Sequence, residues 1–164
     1  MDFKKVIMGK KVLVVDDEED VLEVLTDLLV LCKIDTSSSF EQAQKLLERN
    51  DYHIVVLDIM GAKGFELLKL ANERGIPALM LTAHALSEDS LRSSVKNGAA
   101  YYVPKEEIGK IALFVADVID AKEKGKNPWV RWYERLGSVF DVIFTGPNWR
   151  EREKDFWKKC LRED

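Results

Sequence analysis

The stretch His-Ile-Val-Val-Leu-Asp-Ile-Met-Gly-Ala-Lys-Gly, residues 53–64, decides the fold. Its four apolar residues, Ile54 to Leu57, run directly into the carboxylate of Asp58. An apolar run rich in β-branched residues is typical of a strand buried on both faces of a parallel sheet. A carboxylate at the end of such a strand lies where open α/β sheets place their ligand sites. The stretch therefore predicts a central strand that presents Asp58 to a ligand.

Length and composition restrict the class of protein. A chain of 164 residues, 46% hydrophobic and 33% charged, suits one globular domain with an extension. No apolar run approaches the roughly 20 residues of a transmembrane helix, and the start lacks a signal-peptide core, so we expect a cytoplasmic protein. Cys32 and Cys160 fit no metal-binding spacing and are expected to be free thiols. The net charge of −4 gives no indication of nucleic-acid binding.

Hydrophobic periodicity predicts alternating strands and helices. The predicted strands are 11–15, 34–38, 54–57, 78–81 and 100–103, and the predicted helices are 18–31, 40–49, 65–74, 87–97 and 106–122. This alternation predicts an α/β fold, a doubly wound five-stranded parallel sheet with helices on both faces. The more polar strand 34–38 is expected near an edge of the sheet.

The composition changes at Gly125. Residues 125–164 contain nine Lys or Arg, seven Asp or Glu and all four tryptophans, so this segment carries +2 and residues 1–124 carry −6. We therefore predict a domain over 1–124 and an aromatic-rich helical tail over 125–164. Asn127 and Pro128 are typical of a helix start, and a second short helix is predicted over 149–161.

The tail has several possible roles. Its helices could fold back and cover apolar surface of the domain, or their aromatic residues could anchor a protein partner or a second copy of the chain. Membrane-surface binding has less support, because the charges are mixed rather than basic.

Polar residues follow four of the predicted strands. Asp16 and Asp17 follow the first strand, Asp58 the third, Thr82 the fourth and Lys105 the fifth. Because the carboxyl ends of parallel strands share one edge, these residues should meet in one cleft. Three neighbouring carboxylates repel one another, and a hard divalent cation such as Mg²⁺ relieves the repulsion. A lysine and a hydroxyl beside them suit the oxygens of a phosphoryl group, so the pattern indicates phosphoryl transfer onto Asp58.

Each of these residues also has a structural explanation. An Asp pair after a strand is commonly a helix cap, and a Thr or Lys at a strand end is common without any function. The functional interpretation depends on the right residue types appearing at four separate strand ends in the right order.

Four motifs together resemble the receiver domain of two-component response regulators over residues 9–122. They are Val-Leu-Val-Val-Asp-Asp-Glu at 12–18, Val-Val-Leu-Asp-Ile-Met at 55–60, Leu-Thr-Ala at 81–83 and Gly-Ala-Ala-Tyr-Tyr-Val-Pro-Lys at 98–105. The resemblance implies that Asp58 accepts a phosphoryl group from a sensor histidine kinase or a phosphotransfer protein. It also implies that Asp16, Asp17, Asp58 and the backbone carbonyl of Met60 hold Mg²⁺.

The same resemblance assigns the remaining site residues. Thr82 and Lys105 would contact the phosphoryl group, and Thr82 and Tyr102 would form a conformational switch. Two further positions, Met60 and His84, tune phosphoryl lifetime in the family. Because Met60 cannot orient an attacking water and His84 can shield the group, we expect slow autodephosphorylation.

Two departures from the family pattern border the site. Asp58 reaches Gly64 in six steps, through a loop that lacks the usual proline and about two residues. The family lysine is usually followed by a proline in a cis peptide bond, whereas here Pro104 precedes Lys105 and Glu106 follows it. We expect that bond to be trans.

The sequence thus predicts a response regulator phosphorylated on Asp58. It would be a phosphoryl acceptor rather than an enzyme, at most catalysing its own phosphorylation and dephosphorylation. The 40 residues of the tail are too few for a winged-helix domain, so signalling is expected through protein contacts, a homodimer included. A receiver-like scaffold that is never phosphorylated is the alternative. A metal-dependent phosphoester hydrolase has little support, because no second metal cluster is present in the sequence.

Overall fold

A computed structural model of the chain describes residues 1–61, 63–83, 87–143 and 154–162. Five parallel strands form one sheet in the order β2-β1-β3-β4-β5. The strands are β1 (Lys11–Val15), β2 (Lys33–Ser37), β3 (Ile54–Asp58), β4 (Ala78–Thr82) and β5 (Tyr101–Pro104). The predicted α/β fold class is confirmed, and β2 lies at an edge as expected.

Helices connect the strands and continue beyond the sheet. They are α1 (Phe3–Ile7), α2 (Glu19–Leu28), α3 (Phe40–Arg49), α4 (Gly64–Glu73), α5 (Glu88–Lys96), α6 (Ile111–Glu123), α7 (Pro128–Ile143) and α8 (Lys154–Cys160). Local capping explains several of their starts: the Ser39 side chain accepts a hydrogen bond from the Gln42 amide and that of Ser87 from the Ser90 amide. In the described part of the chain, no helix has both the length and the apolar character needed to cross a membrane.

The structure differs from the predicted helices at three places. The α2 helix ends at Leu28 rather than Leu31, because the Cys32 amide donates to the Leu29 carbonyl in a turn instead of to the Leu28 carbonyl. The helix predicted from Glu106 begins as a 3-10 turn over Lys105–Lys110, which contains the poor helix former Gly109. The five-residue α1 was missed, because it is too short for a periodicity signal.

The second tail helix is described from Lys154 to Cys160. The rest of the predicted helix toward Trp149, and the break predicted at 145–148, lie outside the described residues. The first tail helix begins as predicted, with the Asn127 side chain accepting a hydrogen bond from the Trp129 amide at 2.9 Å. The Asn127 amide group also donates to the carbonyls of Cys160 and Arg162, which ties α8 to the start of α7.

The sheet core explains why β3 occupies the centre of the fold. All five residues of β3 and all five of β4 are buried. Each fully buried Val, Ile or Leu contributes about 1.5–3 kcal/mol. Asp58 is the last residue of β3, so this apolar core fixes its position.

The α7 helix covers the free edge of β5. Although β5 is an edge strand, all four of its residues are buried. The indole N–H of Trp129 donates to the Ala99 carbonyl at 3.0 Å, and that of Trp132 donates to the Tyr102 carbonyl at 2.7 Å. These bonds satisfy backbone oxygens that an uncovered edge would expose for pairing with another chain.

Buried charges also join the tail to the domain. On α6, Asp117 and Asp120 are both buried. The Arg135 guanidinium donates two hydrogen bonds to the Asp117 carboxylate, one of them at 3.0 Å, and Arg131 pairs with Asp120 at 2.7 Å. The Tyr101 hydroxyl donates to Asp117 at 2.9 Å. Residues of α6, α7 and β5 therefore share one polar network.

This packing matches the fold-back interpretation of the tail. Three aromatic side chains of α7 are buried rather than facing solvent: Trp129, Trp132 and Phe140 are at most 6% exposed. The association role and the boundary at 124/125 stay predictions.

We predict that Arg135→Ala lowers the free energy of unfolding by about 2–4 kcal/mol, because it leaves the buried Asp117 carboxylate without its guanidinium partner. Urea denaturation measures the change. As a control, Lys110→Ala removes a solvent-exposed pair with Glu107 and should cost less than about 1 kcal/mol. Equal effects of the two substitutions would contradict the assignment of Arg135 to a stabilising network.

Candidate functional site

Three carboxylates meet at the carboxyl edge of the sheet. Parallel pairing of β1 with β3 places Val15 opposite Leu57, so the residues that follow them lie side by side. One carboxylate oxygen from each of Asp16, Asp17 and Asp58 lies within 4.8 Å of the others. Asp16 and Asp58 are buried, whereas Asp17 is exposed. The structure thus brings together the three acidic residues that were predicted from the sequence to meet in one cleft.

Lys105 supplies the positive charge of the site. Its Nζ lies 3.2 Å from Asp16 Oδ2 and 3.7 Å from Asp58 Oδ1. Burial lowers the pKa of Lys105, but Asp16 and Asp58 raise it by more, so the ammonium stays charged at neutral pH. One lysine offsets only part of the charge of three carboxylates.

The local environment disfavours a negative charge on Asp16. Burial raises the pKa of this carboxyl; the Glu18 amide, which donates to it at 2.9 Å, and the Lys105 ammonium lower the pKa, and Asp58 raises it. The net direction is upward. The folded protein therefore holds an ionised Asp16 at a cost in free energy, which a bound cation would reduce.

The donor set fits a divalent cation. Asp16 Oδ2 is buried and, apart from its ion pair with Lys105, has no hydrogen bond. A Cβ atom placed on Gly61 would lie 2.5 Å from Asp17 Oδ1 and 2.6 Å from Asp58 Oδ2, so the space between these carboxylates is open only because residue 61 is glycine. Oxygen-only ligands select hard ions such as Mg²⁺.

The short loop after β3 closes over this space. The Gly61 amide donates to Asp58 Oδ2 at 3.1 Å. Lys63 adopts a left-handed conformation with φ of 55° at the start of α4, and a side chain at Gly64 would overlap the Asp58 carbonyl. The six-step connection therefore depends on two glycines. The sequence showed that the loop is short, but it did not show that Gly61 would contact Asp58.

Met60 follows Ile59 in this loop, with its side chain 83% exposed. A metal contact from this residue would thus come from its backbone, and the predicted carbonyl ligand stays a prediction. Ala62 lies outside the described residues.

Thr82 and Tyr102 lie next to each other on neighbouring strands. Thr82 ends β4, is 5% exposed and donates from Oγ1 to the Ala83 carbonyl at 3.3 Å. The Tyr102 hydroxyl donates to Ser90 Oγ at 3.1 Å. Burial raises the pKa of Tyr102 overall, although the neighbouring Ser90 and Thr82 hydroxyls lower it. The two residues of the predicted switch therefore lie near each other, whereas Ser90 on α5 gave no signal in the sequence.

The Lys105 side chain reaches the site despite the departure from the family pattern. The register of β4 and β5 pairs Thr82 with Pro104, which places Lys105 just beyond the strand end. The peptide bond between Lys105 and Glu106 is trans, as expected. His84, the second residue expected to tune phosphoryl lifetime, lies outside the described part of the chain.

Comparison with known proteins identifies the family of this site. Residues 12–114 match the model of the response regulator receiver domain. The chain belongs to the response regulator receiver family. The match begins in β1 and ends in α6, so it includes every candidate site residue.

Curated relatives of this receiver protein come from plants and bacteria. It is 33% identical to the two-component response regulator ARR12 of Arabidopsis thaliana over 132 residues, which are 73% of this chain and 22% of ARR12. It is 35% identical to the heme response regulator HssR of Staphylococcus aureus (strain Newman) over 112 residues, 65% of this chain and 50% of HssR. The chain thus spans about a fifth to a half of these relatives.

Solved structures agree on the receiver fold. A CheY-like receiver domain from Methanospirillum hungatei JF-1 superposes with a TM-score of 0.65 at 22% identity, covering 71% of this chain and 98% of that one. The response regulator DrrB, a Thermotoga maritima OmpR/PhoB homologue, gives 0.60 at 27% identity, covering 73% and 55%.

We predict that Gly61→Ala weakens Mg²⁺ binding at least about tenfold, because the methyl group would occupy the space between Asp17 and Asp58. Isothermal titration calorimetry measures the affinity, and a thermal melt of the metal-free protein checks that the fold is kept. Gly109→Ala is the matched control, since a Cβ there meets no atom within 4 Å. Wild-type affinity in Gly61→Ala would contradict this account of the loop.

Proposed function

We propose that this receiver protein is a phosphoacceptor response regulator phosphorylated on Asp58. The observation that carries the proposal is the position of Asp58, buried between an acidic pair and Lys105 at the carboxyl edge of the sheet. Retention of every acidic, hydroxyl and lysine position of the family site supports the chemistry.

The two oxygens of Asp58 face different partners, which assigns them different roles. Oδ2 accepts the Gly61 amide hydrogen bond and faces Asp17, whereas Oδ1 faces the Lys105 ammonium. Oδ1 is therefore the oxygen that attacks the phosphorus of the donor. A new bond forms between Oδ1 and phosphorus, and the bond from phosphorus to the donor nitrogen or oxygen breaks, with its electron pair leaving on the donor.

The residues around Asp58 stabilise this transfer by charge and hydrogen bonding. The Lys105 ammonium would pair with phosphoryl oxygens as they approach Oδ1, and the Thr82 hydroxyl would donate to another phosphoryl oxygen. Mg²⁺ held by Asp16, Asp17, Asp58 and the Met60 carbonyl would offset the repulsion between the attacking carboxylate and the phosphoryl group.

Phosphorylation would be read out through Thr82 and Tyr102. When the Thr82 hydroxyl turns to the phosphoryl group, the surroundings of the neighbouring Tyr102 hydroxyl change. The phosphoryl donor would be a sensor histidine kinase or a phosphotransfer protein in the cytoplasm. We propose signalling by protein–protein contact, in which a homodimer is one arrangement, without DNA binding, membrane binding or catalysis on a separate substrate.

A receiver-like scaffold that is never phosphorylated is the second candidate. The observation that favours it is the shortened loop, in which Gly61 already donates a hydrogen bond to Asp58 Oδ2. In that case the hydrogen bond from the loop would hold the Asp58 carboxylate in a position from which it does not attack a phosphoryl donor.

We predict that incubation with acetyl phosphate and Mg²⁺ adds one phosphoryl group, detected by intact-mass spectrometry, and that Asp58→Asn abolishes it. Asp51→Asn is the matched control, because Asp51 lies near the same strand on the exposed surface. No adduct on the wild-type protein would favour the scaffold.

We also predict that the phosphorylated protein persists for minutes or longer in Mg²⁺. The apolar Met60 side chain cannot position a water for attack on the phosphorus. Intact-mass spectra taken at intervals after removal of acetyl phosphate measure the decay, and a half-life of seconds would refute the prediction.

A further inference from the structure

Tyr102 touches both the phosphoacceptor site and the tail. Its hydroxyl donates to Ser90 Oγ and lies near the Thr82 hydroxyl, and its carbonyl accepts the indole N–H of Trp132 at 2.7 Å. Its ring lies 5.7 Å from the ring of Phe140, measured between centroids. One buried residue therefore connects the hydroxyl that would meet a phosphoryl group to two aromatic side chains of α7.

The first two turns of α7 are anchored by strong and directional contacts. Trp129 bonds the Ala99 carbonyl, Arg131 pairs with Asp120 and Arg135 pairs with Asp117. Trp157 of α8 stacks on Trp132, with the ring centroids 5.3 Å apart and the ring planes 4° apart. These contacts join this part of α7 to α6, to α8 and to the residues just before β5.

Phe140, near the end of α7, makes a different kind of contact. Phe140 packs by aromatic contact on Tyr102 and, at 5.3 Å, on Trp132. Each such contact contributes about 0.5–1.5 kcal/mol beyond burial. The free-energy cost of breaking a buried charge pair is larger. Gly137 separates this segment from Arg135, and glycine is the weakest helix former after proline. The helix is therefore easiest to bend between its anchored part and Phe140.

Close packing transmits a change at Tyr102 to this segment. Tyr102, Trp132 and Phe140 all have 0% exposure. Protein interiors pack at the density of organic crystals, so a buried ring changes position only when its neighbours move too. Of the two aromatic neighbours, Trp132 belongs to the anchored part of α7, so we expect Phe140 to be the one that moves.

We propose that the end of α7 around Phe140, residues 137–143, is the element that phosphorylation moves, while residues 128–135 stay docked. This inference rests on the proposed function. In the unphosphorylated state, Phe140 lies on Tyr102 and covers it. Movement of the neighbouring Thr82 hydroxyl toward a phosphoryl group shifts Tyr102 and loosens residues 137–143.

Hydrogen exchange of the full-length protein tests the proposal. Exchange is followed by mass spectrometry in Mg²⁺ alone and in Mg²⁺ with acetyl phosphate, and intact mass gives the phosphorylated fraction of the same sample. We expect amides of residues 137–143 to exchange at least about tenfold faster in the phosphorylated protein, with residues 128–133 unchanged. Adduct without faster exchange at 137–143 overturns this proposal alone. Absence of adduct overturns the proposed function and this proposal with it.

Thermodynamic reciprocity supplies a second readout. If the phosphorylated state loosens the Phe140 contact, then removal of that contact must favour the phosphorylated state. Phe140→Ala should therefore tighten the binding of beryllium fluoride, a phosphoryl mimic, by about 3- to 10-fold in Mg²⁺. Phe156→Ala is the matched control, because it removes a tail ring that packs on Trp157, and should change the affinity less than twofold. Unchanged or weaker binding in a folded Phe140→Ala protein would overturn the coupling.

Discussion

The structure depends on three carboxylates held together at the end of an apolar sheet. Asp16 and Asp58 are fixed there because β1 and β3 are buried on both faces and pair in a single register. The cost of this arrangement is visible at Asp16, whose pKa is raised by burial and by the charge of Asp58. The core thus provides the free energy that keeps like charges close, and this concentration of negative charge favours a divalent cation.

Two adaptations let this chain keep the site with a shortened loop. Glycine at residue 61 lets the loop pass beside Asp17 and Asp58, and glycine at residue 64 lets α4 start against the Asp58 carbonyl. The resulting Gly61 hydrogen bond gives the two oxygens of Asp58 different surroundings. In the proposed function, the same loop would determine both the space for the metal and the oxygen that attacks.

The parts of the molecule that have a periodic or positional signal could be predicted from the sequence. The five strands and the convergence of Asp16, Asp58 and Lys105 follow from apolar runs that end in polar residues, because parallel strands share an edge. The contacts of Gly61 and Ser90 were not predictable, since a loop path and a neighbouring hydroxyl leave no periodic trace. The tail was predictable only in part. Its aromatic helix was evident from the sequence. The hydrogen bonds from the Trp129 and Trp132 indoles to backbone carbonyls at and just before β5 were not, because they depend on a packing geometry that no local pattern encodes.

We propose that Asp58 is the residue that carries the phosphoryl group. Borohydride reduction locates that residue chemically, because it converts an aspartyl phosphate to homoserine and leaves a free carboxylate unchanged. Peptide sequencing by tandem mass spectrometry then locates the homoserine. We expect homoserine at residue 58 after treatment with acetyl phosphate and Mg²⁺, and unmodified Asp16 and Asp17. Homoserine at another position, or at none while the intact protein carries the added mass, would contradict it.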